Sequence, residues 1–411
     1  MQPNETRRPR ARFLDVAPLL LAVIVVVAVV ATLRASLAGP AGPAASPSVT
    51  ASAVGTPPPV PTATAQAVAT PAPATPTPIP PPLPAGLTNR TWVTRNEVEG
   101  IGYVAGTLDG RHHLVLPAGE FPLDASDGRV LSVRRGPVAA SGFASSSTVI
   151  VRDVATGDVL ISADLPAAIA SGVLGPDTAY VAANMTELPG EVPGVDAISL
   201  TDGSVREVIP SEFIAVDPKG QAPWNAAARG PIHLSPSGRT LGSGVCLNSL
   251  CDIQTLDLGS GSLTQAVTAI PSYLGMLSDA VLVTFGDGNT YGYDAATGKL
   301  LWTLDGAMGR GAYLLSDGLT LIEEYQDLAS SGSVVATVDL RSGARRELLR
   351  TPTTEVAPDL WAEASNDRYA VLIPGGQGLD VALGGTGSLL ADVLDLATGK
   401  VERAALRVST R

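Results

Sequence analysis

One strand–turn–strand pattern recurs at near-regular intervals through most of this 411-residue chain, and it constrains the fold more than any other feature. A strand ends in an acidic or polar residue, a glycine turn follows, and a second strand begins. The pattern reads TVIVRDVATGDVLIS at 148–162, VDAISLTDGSVREVI at 195–209 and IQTLDLGSGSLTQAV at 253–267. It returns as TYGYDAATGKLLWTL at 290–304, VATVDLRSGARRELL at 335–349 and DVLDLATGKVERAAL at 392–406. The turn glycines are Gly157, Gly203, Gly261, Gly298, Gly343 and Gly399, separated by 46, 58, 37, 45 and 56 residues. A shorter relative, GYVAGTLDGRHHLVL at 102–116, places Gly110 another 47 residues upstream. Units of this size cannot each enclose a core, so each must bury its apolar face against its neighbours.

A second motif precedes each clear copy by about half a repeat: SDGRVLSV at 126, GPDTAYVAA at 175, SPSGRTLGS at 235, SDAVLVTF at 278, SDGLTLIEEY at 316 and SNDRYAVLI at 365. Each is a polar turn followed by an alternating or apolar strand. Every unit therefore supplies two hairpins, or four strands. The expectation is an all-β chain whose residues 89–411 form a single β-propeller. Seven blades fit the six clear copies plus the partial one at 89–120, with six or eight as alternatives.

The turn motif has a physical account that needs no ligand. Glycine adopts the left-handed conformation at no steric cost, and Asp or Thr side chains bond nearby backbone groups as Asx- and ST-turns. The seven turn glycines are therefore read as structural. Gly292-Tyr293-Asp294-Ala295-Ala296-Thr297-Gly298-Lys299-Leu300-Leu301-Trp302 resembles the tryptophan-docking motif of quinoprotein-like (PQQ-like) propeller repeats, and only this copy carries the tryptophan. SPSGRTL at 235–241 is similar to the Ser-Pro-Asp-Gly turns of WD-repeat-like envelope propellers, with Ser237 in place of Asp. The resemblance implies a fold and does not imply a reaction.

The N-terminus reads differently. Val16–Leu33, VAPLLLAVIVVVAVVATL, has no charged side chain. As a helix rising ~1.5 Å per residue it spans roughly 27 Å, near the thickness of a hydrocarbon core. Arg7, Arg8, Arg10 and Arg12 precede it and only Arg34 follows, so the positive-inside rule puts residues 1–15 in the cytoplasm and all that follows the 16–34 span outside. Cleavage as a secretory signal near Ser36-Leu37-Ala38 is the alternative, and gives a secreted body. Residues 35–88 hold 15 of the 34 prolines and no charge. They read as a disordered spacer that is extended in its Pro-Thr-rich part.

Against the chain's net −12, residues 1–34 carry +3 and residues 89–411 carry −15. A body that acidic repels phosphate backbones, so nucleic acid is not expected as a partner. No cofactor, metal or catalytic residue is assigned, and the chain is read as a non-enzyme. His112 and His113 are adjacent, so on a strand they point apart. His233 stands alone, and Glu323-Glu324 face opposite ways on one strand. Neither Gly-x-Ser-x-Gly, a Walker lysine nor His-Glu-x-x-His occurs. Cys246 and Cys251 bracket four residues of one hairpin, and in an extracytoplasmic protein they read as a disulfide. The function expected is a membrane-anchored binding or scaffold module for an envelope protein or polymer. A hydrolase or lyase with a site on blade-top loops is the alternative. The long connections 183–195, 210–231 and 374–390 are the first places to seek a binding face.

Overall fold

In the computed structural model the described residues are 83–87, 90–94, 102–138, 144–183, 191–213, 227–247, 250–267, 273–286, 288–305, 307–327, 332–351, 359–373 and 389–406. The expected membrane span and most of the proline-rich spacer lie outside them. Among the described residues no helix is long and apolar enough to cross a membrane.

Seven antiparallel sheets make the seven blades of a propeller. Six have four strands, which we letter A to D from the channel outward. Blade 2 comprises Glu120–Ser126, Arg129–Arg135, Ser147–Asp153 and Val159–Leu165, and blade 3 comprises Ile169–Leu174, Thr178–Ala183, Val195–Ser199 and Val205–Ile209. Blade 4 is built from Ala227–Leu234, Thr240–Leu247, Leu250–Asp257 and Ser262–Val267, and blade 5 from Tyr273–Leu277, Val281–Gly286, Asn289–Asp294 and Leu300–Asp305. Blade 6 holds Ala307–Leu314, Thr320–Asp327, Gly332–Asp339 and Ala344–Thr351; blade 7 holds Asp359–Leu360, Tyr369–Ile373, Leu389–Asp395 and Val401–Leu406. Blade 1 has three strands, Thr91–Val93, Val104–Thr107 and His113–Val115.

Each sequence copy lands in one blade. The Ser-Asp-Gly motif is the A–B turn and the Thr-Gly motif is the C–D turn. All seven turn glycines have positive φ, between 67° and 77°. In five blades the C–D turn is an Asx-turn closed by the strand-end aspartate: Asp294 Oδ1 accepts from Ala296 N and Thr297 N, and Asp395 Oδ1 from Ala397 N and Thr398 N. Ser199 does the same work in blade 3. Asp127 is the only described non-glycine residue with positive φ (50°). It shares a two-residue A–B hairpin with Gly128, the type I′ geometry that demands left-handed backbone at both positions.

Blades pack face to face through apolar clusters that alternate around the ring. Leu131, Val149 and Val181 seal blade 2 to blade 3, and Ile322, Leu360 and Leu394 seal blade 6 to blade 7. The docking expectation for Trp302 is met. Its indole is buried, and Nε1 donates to the Leu340 carbonyl of the next blade at 2.6 Å. A Cβ on Gly292 would come within 2.0 Å of the ring and one on Gly343 within 2.7 Å, so both glycines leave room for it.

The innermost strands are tied directly to one another. Strand A of blades 2 to 6 carries a register shift against strand B, and such bulges re-aim side chains. Asp124 Oδ2 accepts from Leu174 N at 2.7 Å, joining blade 2 to blade 3. Ser171 Oγ accepts from Ile232 N at 2.8 Å, joining blade 3 to blade 4. His233 bonds the Leu274 backbone, joining blade 4 to blade 5. Burial pulls its pKa down to about 4, so the imidazole is neutral at ordinary pH and acts as a structural tie.

Candidate interaction face

Strand direction alternates from A to D, so the A–B and C–D turns gather at one end of the channel. The B–C and D–A connections gather at the other. The two ends differ in how their polar groups are used.

At the turn end those groups are spent between blades. Arg129 Nη1 donates to the Pro176 carbonyl at 2.9 Å, Thr240 Oγ1 donates to Asp279 at 2.9 Å, and Ser316 N donates to Asp367 at 2.8 Å. A mouth of about 640 Å³ opens there, lined by A–B turns that include Asp127, Pro236, Ser237 and Arg368. An adjoining cavity of about 350 Å³ is lined by Arg90, Asp124 and Tyr313. The lead-in segment also docks at this end. Leu87 is buried with Trp92 and Trp361, and Asn366 Nδ2 donates to the Gly86 carbonyl at 2.8 Å.

The connection end carries the long insertions. The strands flanking all three segments named from the sequence end there, namely strands B and C of blade 3, strand D of blade 3 with strand A of blade 4, and strands B and C of blade 7, while residues 184–190, 214–226 and 374–388 lie outside the described residues. Parts of the first two pair with each other as a two-stranded ribbon, Glu191–Val192 with Glu212–Phe213. Sequence reasoning did not anticipate this ribbon, because two-residue strands leave no periodic signal.

A buried arginine fixes its base. Arg229, on strand A of blade 4, is 1% exposed. Its Nε donates to the Pro193 carbonyl, and Nη1 donates to Ser243 Oγ at 2.7 Å and Gln254 Oε1 at 3.1 Å. Gln254 in turn donates to Glu212 of the ribbon. Burial lowers the Arg229 pKa to about 10, with Glu212 opposing the shift, so the cation persists. Beside the ribbon, Asp196 and Glu207 stand opposite each other in the ladder. Burial, then Glu207, pushes the Asp196 carboxyl above its ordinary value.

Other predicted positions are dispersed. His113 begins the third strand of blade 1, His112 precedes it exposed, and neither meets His233. Glu323 pairs with Arg345 Nη2 at 2.7 Å, while Glu324 turns to the next blade and accepts from Leu360 N at 3.0 Å. Both carboxylates are buried and face opposite ways, as their adjacency on a strand implied. Nothing in their local spacing marked them as internal. The same holds for Glu120, which is buried and accepts from Arg134, Arg152 and Ser132. Among the described residues no three His, Cys, Asp or Glu converge as a metal site. Cys246 and Cys251 are direct partners in the B–C ladder of blade 4, and no described cysteine is free.

This architecture is that of a seven-bladed β-propeller. A family described as outer membrane protein assembly factor BamB matches residues 255–408, from blade 4 through blade 7. No curated protein matches the sequence. Among solved structures, the periplasmic gluconolactonase of Pseudomonas aeruginosa is 15% identical with a TM-score of 0.46, over 78% of this chain and 96% of that one. BamB from Moraxella catarrhalis is 13% identical with a TM-score of 0.38, over 68% and 80%. TolB from Acinetobacter baumannii is 17% identical with a TM-score of 0.36, over 68% and 64%. Likeness at this level carries no inference about activity.

Proposed function

We propose that this chain is a membrane-tethered, extracytoplasmic binding platform that engages an envelope protein or polymer through the connection end of its propeller. The observation that carries the reading is the division of labour between the two ends. Turn-end polar groups are consumed in holding blades together, whereas the connection end bears the long insertions and a ribbon locked down by Arg229. A disulfide between Cys246 and Cys251, on the connection-end tip of blade 4, fits an oxidising compartment.

The test uses the full chain in detergent, with affinity capture from its own membranes. Replacing residues 214–226 or 375–387 by Gly-Ser linkers should abolish recovery of the partner, while Arg368→Ala at the turn end should leave it intact. Equal recovery by all variants would refute the assignment of the face. Mass mapping without reductant should find neither cysteine alkylatable.

A hydrolase or lyase remains the second reading, favoured by one observation. Asp196 and Glu207 are paired carboxylates at the connection end, and one is pushed up, as an acid–base pair requires. Turnover on a glycan or ester panel that Asp196→Asn abolishes would establish it.

A further inference from the structure

The outermost strand of a blade has one free edge, and a free edge invites pairing with another chain. Five of the six four-stranded blades carry devices that discourage this. The C–D ladder of blades 2, 3, 5 and 6 is bulged. Each of their D strands also holds charge, including Asp164, Glu207, Asp305 and Arg346. Strand D of blade 7 is unbulged but holds Glu402 and Arg403. Blade 4 has neither device. Its strand D, Ser262-Leu263-Thr264-Gln265-Ala266-Val267, has no charge, no Pro and no Gly, and it pairs with strand C through six consecutive residues.

Backbone direction shows what this edge offers. Gly261 N donates to the Asp257 carbonyl, on the strand D side, and Leu258 N donates to the Arg239 carbonyl, on the strand B side. Peptide groups alternate in direction along a strand, so Asp257, Thr255 and Ile253 bond to Ser262, Thr264 and Ala266. The N–H and C=O groups of Leu263, Gln265 and Val267 therefore point off the sheet. Among the described residues no strand pairs with them. The Leu263 side chain is 44% exposed beside them, an apolar surface that a cross-strand neighbour covers.

The charge around the edge selects its occupant. Asp257 and Asp252 sit at the two ends of strand C, opposite Ser262 and Val267. Gln265 Nε2 donates to Asp252 Oδ2 at 2.9 Å and holds that carboxylate beside the edge. Residues 89–411 carry −15, which disfavours a second copy and favours a cationic segment. We propose that the outer edge of blade 4 is a docking edge for an extended, basic segment of a partner protein, which adds a fifth strand to the blade. Main-chain bonds to three residues supply affinity, and lysine or arginine beside Asp252 and Asp257 sets the orientation. This contact lies on the outer wall of the propeller and is additional to the connection-end face.

Residue-resolved hydrogen exchange on the full chain tests this, with a synthetic peptide of alternating valine and lysine as the probe. In the free chain the Leu263, Gln265 and Val267 amides should exchange quickly. The peptide should slow them about tenfold or more and leave Val283 in blade 5 unchanged. A peptide of alternating valine and glutamate should have no effect, nor should the valine–lysine peptide once N-methylated at alternate residues. Gln265→Pro removes one outward N–H and no C–D bond, a change that edge strands tolerate, and it should abolish the slowing at Leu263 and Val267. Gln265→Ala loses only the bond to Asp252 and should retain it. Absence of slowing, or slowing that survives Gln265→Pro, would overturn the proposal. So would slow exchange in the free chain: if dilution relieves it a second copy holds the edge, and if not, another segment of this chain does. None of these readouts uses the captured partner, so the edge can fail while the connection-end reading stands.

Discussion

Trp302 links two blades by a hydrogen bond and by shape, and the two contributions can be separated. Trp302→Phe keeps a buried aromatic ring but removes Nε1–H, stranding the carbonyl of the fully buried Leu340. An unsatisfied buried acceptor costs about 1–3 kcal/mol. Loss of the smaller indole ring adds about 1 kcal/mol at ~25 cal/mol per Å². The expected destabilisation is therefore about 2–4 kcal/mol, read as a shift in the urea midpoint at constant slope. The shape contribution is tested at Gly343, whose φ of 70° and virtual Cβ, 2.7 Å from Trp302 Cγ, penalise any side chain. Gly343→Ala should cost about 2–4 kcal/mol, from left-handed backbone strain and overpacking together. In a Trp302→Gly background, which also removes the Trp302 Cβ 2.8 Å away, the overpacking disappears and only the strain of about 1–2 kcal/mol remains. The double-mutant cycle should thus show a coupling of at least about 1 kcal/mol. Equal cost of Gly343→Ala in both backgrounds would refute the idea that the glycine is there to receive the tryptophan.

Three further outcomes follow from buried polar groups. His233 has its pKa lowered to about 4. Its contribution is therefore present above the ordinary histidine value and lost as pH falls through about 4, a decline of about 3 kcal/mol that His233→Gln should flatten in acid titrations of stability. Arg229→Leu should free the ribbon by stranding the Pro193 carbonyl and the Gln254 amide, costing about 2–4 kcal/mol. Faster amide exchange at Val192, with strand D of blade 6 unaffected, checks it. Burial raises the Glu120 carboxyl, but hydrogen bonds from Arg152 and Arg134 outweigh this and hold it below the ordinary value. Glu120→Gln should therefore cost about 3 kcal/mol at pH 7. That deficit should shrink as pH falls through the folded value, because the wild type then loses the same interaction.

What was legible in the sequence follows the range of the interaction that produced it. Gly157 and Asp153 lie within one turn, so a local pattern specified both the backbone conformation and the hydrogen bond that closes it. Gly298 and Trp302 are equally close, and the docking motif could be read before its receptor, Gly343, was known. Arg229 and Gln254 are 25 residues apart, and Arg152 and Glu120 are 32. No spacing rule joins residues on separate strands of a twisted sheet, so these buried charges looked like ordinary surface charges. The candidate face lies between these extremes. Its ribbon was invisible, but its position was implicit. Once consecutive strands alternate in direction, every connection before a strand A or after a strand B must emerge at one end. The three long connections of the sequence obey that parity, which is why loop length alone pointed to a single face.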